Sequence, residues 1–166
     1  VTEDLDAAML AQDSGAAAVP DHSPPQGMNA AVEIGLETVD QHGADAALIL
    51  VSDLALASGA AIDAVIEAAP GGRGAVLVPS RDGTGTNALL LEPPKALAPK
   101  RGPDSRAKHV ALASERELPL TEVAVSELGR DVDTAADLAD LAGSASAGRA
   151  AELTRTRKLA DSPHPN

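Results

Sequence analysis

Not one Phe, Tyr or Trp occurs among the 166 residues of this chain. Aromatic side chains carry the largest buried areas in ordinary protein interiors, so any core here has to be closed by Leu, Ile, Val and a large complement of Ala. Ala buries little surface, and at roughly 25 cal/mol per Å² of apolar area such a core stabilises only modestly. Cysteine is absent too, which removes disulfides and thiolate metal sites. The length corresponds to about one domain, because single cores occupy roughly 100–200 residues, and one domain implies one active site.

Twenty-five Asp and Glu against thirteen Lys and Arg give a formal charge of −12. Such a chain repels polyanions, which argues against a nucleic-acid surface or an anionic membrane surface. A small nucleotide held through a divalent cation stays compatible, since the metal supplies the positive charge. No signal-peptide pattern and no apolar run of about 18 residues is present, so the expected location is the cytoplasm.

Strand and helix signals alternate along the chain. Asp4 to Gly15 reads as a helix, Ala16 to Val19 as a short strand stopped by Pro20, and Asp21 to Gly27 as a loop. Asn29 is expected to cap a helix whose Val32, Leu36 and Val39 recur at helical spacing up to Gly43. Ala46 to Val51 predicts a strand buried on both faces and ending in Ser52 and Asp53. Ser58 caps the next helix, which runs to about Ala69 and stops at Pro70, Gly71 and Gly72. Ala75 to Val78 and Ala88 to Leu91 predict two further apolar strands joined by a glycine-punctuated turn at Gly83 to Asn87, a local antiparallel excursion. A basic loop from Pro93 to Pro103 leads to a helix capped by Asp104 or Ser105, then a strand at Leu120 to Val125 and a last helix introduced by Thr134 and Asp137 and ended by Gly143. This alternation predicts a three-layer α/β domain with a mostly parallel sheet over residues 1–142, and a mobile or solvated tail over residues 143–166.

Chemistry-bearing residues fall at the ends of these elements. Asp53 directly follows a strand, where open α/β sheets collect their ligands and a carboxylate is placed to hold a metal; the alternative is a plain turn residue. Asp131 and Asp133, two apart, point the same way if extended. They repel each other unless a cation such as magnesium compensates them, or else form a solvated turn ahead of Thr134. Asp131-Val132-Asp133-Thr134 also superficially fits the pattern of aspartate-nucleophile phosphatases, but the hydrophobic strand which that pattern needs does not precede it. Gly83 to Asn87 offers backbone N–H groups for an anion or makes an ordinary hairpin turn; it lacks the Gly-Lys-Ser/Thr ending of a P-loop. Gly102-Pro103-Asp104-Ser105 enters a helix whose free N–H groups favour phosphate or carboxylate, amid Lys100, Arg101, Arg106, Lys108 and His109; the competing reading is a solvated basic loop. His109 by itself says little.

Taken in order, Gln26-Gly27-Met28-Asn29-Ala30-Ala31, Val51-Ser52-Asp53-Leu54, Val78-Pro79-Ser80-Arg81-Asp82-Gly83-Thr84-Gly85-Thr86-Asn87-Ala88, Gly102-Pro103-Asp104-Ser105 with Lys108-His109, and Asp131-Val132-Asp133-Thr134 with Asp137-Leu138 resemble the 2-phospho-L-lactate guanylyltransferase family, including its phosphoenolpyruvate-using members, which serves coenzyme F420 biosynthesis. The resemblance runs from Val1 to about Leu141. It implies a Rossmann-like nucleotidyltransferase fold, that of the nucleotide-diphospho-sugar transferases, and transfer of GMP from GTP to a small phosphorylated three-carbon acid with release of pyrophosphate. By position it implies Asp53, Asp131 and Asp133 as catalytic magnesium ligands, Thr86, Gly102 and Ser105 as contacts to the acid, and Asn29 near the nucleotide. It further implies a first strand and a Lys/Arg-bearing phosphate loop, for which this chain has no counterpart: Val1-Thr2 matches only the end of the family's second strand. Leu54-Ala55 stands where the family has Leu-Pro, and Arg101 and Arg106 where Phe is common. Competing functions are another nucleotidyltransferase on the same fold, acting on a molybdenum cofactor or a nucleotide sugar, and an inactive nucleotide-binding fragment.

Overall fold

A computed structural model describes residues 1–21 and 26–130. The last helix, the tail and the Asp131/Asp133 pair expected from the sequence lie outside the described residues. The elements are α1 (Leu5–Asp13), α2 (Met28–Gln41), β1 (Ala47–Leu50), α3 (Gly59–Glu67), β2 (Gly74–Pro79), β3 (Thr86–Glu92), α4 (Ser105–Glu115) and β4 (Leu120–Glu122).

The strands form one sheet in the order β1-β3-β2-β4. β3 is antiparallel to both β1 and β2, while β4 is parallel to β2. Strands β1, β2 and β4 therefore run the same way, but the expectation of a mostly parallel sheet needs correcting at the level of pairings. The β2–β3 hairpin inserts its return strand between two parallel neighbours, so two of the three ladders are antiparallel.

Strand alternation sends successive side chains to opposite faces, and two separate cores result. Ala75, Leu77, Leu89 and Leu91 pack with Leu36 of α2, Ala113 of α4, Leu97 and Leu118 on one face. Val76, Val78, Ala88 and Leu90 pack with Ala61 and Val65 of α3, Leu54 and Leu128 on the other. Helices on both faces of a sheet make the expected three layers. Leu and Val carry these cores, with Leu77, Leu89, Leu91, Leu97 and Leu128 among the largest fully buried side chains. His109 is the one planar ring buried with them among the described residues.

Several local expectations change. Ala16 to Val19 forms no strand; a single parallel bridge joins Thr2 to Pro20, because Thr2 is the one residue there that both gives an N–H to the Val19 carbonyl and takes one from Asp21. Gly27, at φ 90°, takes the N-cap position of α2 without a side-chain bond, which leaves Asn29 inside the first turn. β1 lies at the edge of the described sheet, and its residues are half-buried or exposed rather than covered on both faces. Thr86 and Asn87 belong to β3 rather than to the turn, and β4 stops at Glu122. Asp104 adopts a left-handed conformation at the start of α4 and makes no side-chain cap. Ser58 does cap α3, accepting from the Ala61 N–H at 3.2 Å.

Candidate functional site

Thr86 opens β3, Gly102 lies in the loop before α4, and Ser105 begins that helix. Folding brings all three to one place. Gly102 accepts the Ser105 N–H at 3.1 Å, and the next N–H of the helix, that of Arg106, goes to the Thr84 carbonyl at 3.1 Å, tying the helix start to the β2–β3 turn. Gly102 sits at φ 109°, a conformation L side chains rarely adopt, so the turn itself requires glycine. Thr86 and Ser105 are both buried.

His109 stands one helical turn beyond Ser105, on the buried face with Ala113. Its Nε2 accepts the Lys100 N–H at 2.9 Å, and its Nδ1 lies 3.0 Å from Thr86 Oγ1. One ring thus grips the basic loop and β3 at once. Burial, and next the nearby Arg101 charge, push its pKa down to about 4, the Ser105 carbonyl opposing in part, so the imidazole is neutral at physiological pH. Read as a sequence, His109 carried no signal alone; the four-residue recurrence of Ser105, His109 and Ala113 is the pattern that marks the buried face.

The basic cluster is mostly committed to structure. The Arg101 guanidinium is buried, 8% of the residue exposed, and donates to the Thr86 carbonyl and, at 3.5 Å, to the Ile49 carbonyl. Burial lowers its pKa from the usual arginine value. Arg106 pairs with Glu122 at 2.5 Å and donates to the Gly83 carbonyl at 3.1 Å, and Lys108 donates to the Pro103 carbonyl. Among the described residues Lys100 alone in this group has an exposed side chain with no internal partner. The Ser105 and Arg106 N–H groups are also engaged, so these two are not among the free amides expected at the helix start.

The glycine turn is likewise filled from within. The Asp82 carboxylate accepts from Ser80 Oγ at 2.6 Å, from the Thr84 N–H at 3.0 Å and from Thr84 Oγ1 at 2.9 Å, which together hold its pKa down at about 2. Gly85 donates its N–H to Ser80 Oγ at 2.7 Å, and a Cβ there would strike that same oxygen. An anion nest already holding the chain's own carboxylate is a hairpin turn.

Asn29 grips the basic loop from the opposite side. Its Oδ1 accepts the Arg101 N–H at 2.7 Å and its Nδ2 donates to the Arg101 carbonyl at 3.3 Å. Asp53, expected to bind metal, stands exposed past the end of β1 and lines a cavity of about 570 Å³ between α2 and β1, together with Ser52, Met28 and Arg101. Its carboxylate has no internal partner among the described residues. Among those residues no group of three His, Asp or Glu converges, and Asp131 and Asp133 lie outside them. No described helix is long and apolar enough to cross a membrane.

Residues 1–118 match the family of MobA-like NTP transferase domains. The chain is 41% identical over 133 residues to a phosphoenolpyruvate guanylyltransferase of Sphaerobacter thermophilus, covering 80% of this chain and 64% of that one. To a protein of the same name from Conexibacter woesei it is 39% identical, covering 68% and 51%. To a 2-phospho-L-lactate guanylyltransferase of Haloterrigena turkmenica it is 34% identical, covering 84% and 58%. The chain therefore spans roughly half to two thirds of the length of these relatives.

Proposed function

The chain belongs to the MobA-like NTP transferase domain family, and from that premise we propose that it is a guanylyltransferase domain, moving GMP from GTP to phosphoenolpyruvate or 2-phospho-L-lactate with release of pyrophosphate in coenzyme F420 biosynthesis. The observation that carries the reading is that the His109 ring joins Thr86 of β3 to the Lys100 backbone just ahead of the Gly102–Ser105 turn, so the start of β3 and the start of α4 meet at one place. Two buried hydroxyls, with the exposed Lys100 in the adjoining loop, suit a small acid bearing both carboxylate and phosphate. The names of the relatives support the same acceptors.

In this reading Thr86 and Ser105 hold and orient the acid, and Asn29 fixes the loop that shapes its recess. Binding and orientation carry most of the catalysis in phosphoryl-group transfer, because little covalent chemistry falls to the protein. An oxygen of the acceptor phosphate attacks the α-phosphorus of GTP in line, the bond to the bridging oxygen breaks, and pyrophosphate leaves. Asp53, with Asp131 and Asp133, would hold magnesium, which when bound neutralises and aligns the phosphates. The domain would act in the cytoplasm on small molecules, without nucleic acid or membrane.

Pyrophosphate release with magnesium and GTP tests the proposal, with phosphoenolpyruvate and 2-phospho-L-lactate as separate arms. Release that depends on one of these acids and on GTP over CTP is the expected result. Release driven instead by a sugar phosphate, or by CTP with a molybdenum-cofactor precursor, would assign the domain to another nucleotidyltransferase.

A further inference from the structure

We propose that His109 is a positioning residue of the acid recess: held with its only proton on Nδ1, its ring turns the Thr86 hydroxyl so that the hydroxyl proton faces the bound acid. The inference rests on the functional reading above in so far as the acid is concerned, and on geometry alone for the ring.

The tautomer follows from the partners. The Lys100 backbone N–H is a donor in every state, and it points at Nε2 from 2.9 Å. A proton on Nε2 would set two donors face to face, so Nε2 must carry the lone pair. A neutral imidazole then has its proton on Nδ1, and Nδ1 lies 3.0 Å from Thr86 Oγ1. Thr86 Oγ1 therefore cannot donate to the ring, whose one N–H it shares with the Ser105 carbonyl. No other side chain or carbonyl among the described residues takes the Thr86 proton. That proton is left for an acceptor from outside, and a phosphate or carboxylate oxygen supplies one.

The surroundings keep the ring in that state. A second proton would place a cation, fully buried, beside Arg101 and Lys100 and would break the bond from Lys100. The side chain is also the joint between the basic loop, β3 and α4, so its tautomer is fixed by the fold before any ligand arrives.

Two variants separate positioning from mere filling of space. An asparagine amide can reproduce the Nδ1 donor and a glutamine can reproduce the Nε2 acceptor, so His109→Asn keeps a donor for Thr86 and His109→Gln keeps only the bond from Lys100. Phosphoenolpyruvate affinity is measured by calorimetry on the whole chain, alongside melting temperature. The expected result is about tenfold weaker binding for His109→Gln, the effect of one misplaced hydrogen bond to a charged group. His109→Asn should bind several-fold more tightly than His109→Gln although both melt earlier, and His109→Gln should add no further loss in a Thr86→Val background. Equal losses in the two variants, or none, would overturn the proposal. Should either variant fail to fold, nitrogen-15 NMR of the imidazole in the unaltered protein decides: a proton on Nδ1 is expected, and one on Nε2 overturns it. Failure of phosphoenolpyruvate to bind the unaltered chain while Nδ1 carries the proton would sink the functional reading alone and leave the ring's grip on Thr86 standing.

Discussion

Every residue of β2 and β3 is buried except the last of each strand, whereas none of β1 is. The helices divide the same way: α4 buries Ser105, His109 and Ala113, while α1 buries nothing and leaves Leu5 80% exposed. Thr86 and Ser105 belong to the covered half. Asp53 and the cavity between α2 and β1 belong to the open half. The acceptor side of the proposed site is thus built on a buried interior, and the side carrying Asp53 is not. Pre-set hydroxyls of the kind Thr86 presents are what a binding site for a small acid needs, since ordering them on binding would cost affinity.

The largest effect that can break this contrast is a paired truncation. Leu89→Ala, in the middle of the covered half, should cost about 3 kcal/mol by urea denaturation, whereas Leu5→Ala on α1 should stay within about 0.5 kcal/mol. Equal costs would mean that α1 is as well supported as β3.

Acid should act next, and through the covered half. His109 has a pKa of about 4 in the fold against 6.5 when free. Between those values the unfolded chain binds more protons than the folded one, so stability rises with pH across that window. It is complete above about 6.5 and is lost progressively as pH falls towards 4, by an amount on the order of 2 kcal/mol. Urea midpoints from pH 7 to pH 4 should follow that slope in the unaltered chain, and the slope should flatten in His109→Asn.

Asn29→Ala sharpens the boundary between the halves, because this residue binds the Arg101 backbone through both its N–H and its carbonyl. A loss of about 1 kcal/mol is expected, with faster amide exchange at Arg101. At the small end, Lys95 forms an exposed ion pair with Glu37 and a second one with Asp40 at 3.1 Å. Lys95→Ala should change the urea midpoint by less than about 0.5 kcal/mol in free energy.

How far the sequence made this legible follows from what each signal depends on. The alternation of elements and the apolar runs at Ala75 to Val78 and Ala88 to Leu91 depend on local chemistry, and the three layers followed from them. The insertion of β3 between β1 and β2 is a tertiary event, so the direction of the ladders was only half visible. Asn29 was expected as a cap because Asn favours that position, but Gly27 took the place, and the side chain reached 72 residues along the chain to Arg101 instead. Thr86, Gly102 and Ser105 were expected as acid contacts through resemblance; Gly102 and Ser105 are neighbours in sequence, and folding sets the start of β3 beside them. His109 was seen in the basic cluster but given no role, because a single histidine has no period of its own. The free amides expected at the start of α4 and in the glycine turn were taken up by Gly102, Thr84, Asp82 and Ser80, partners that only the folded chain brings near.

If Thr86 and Ser105 hold the acid as proposed, their buried hydroxyls are in place before the nucleotide arrives. Titrating phosphoenolpyruvate into the chain by calorimetry, with no GTP present, tests it most directly. The account predicts saturable one-to-one binding that Thr86→Val weakens by about tenfold, the effect of one lost hydrogen bond to a charged group. Binding that begins only once GTP is added, or an affinity that Thr86→Val leaves untouched, would contradict it.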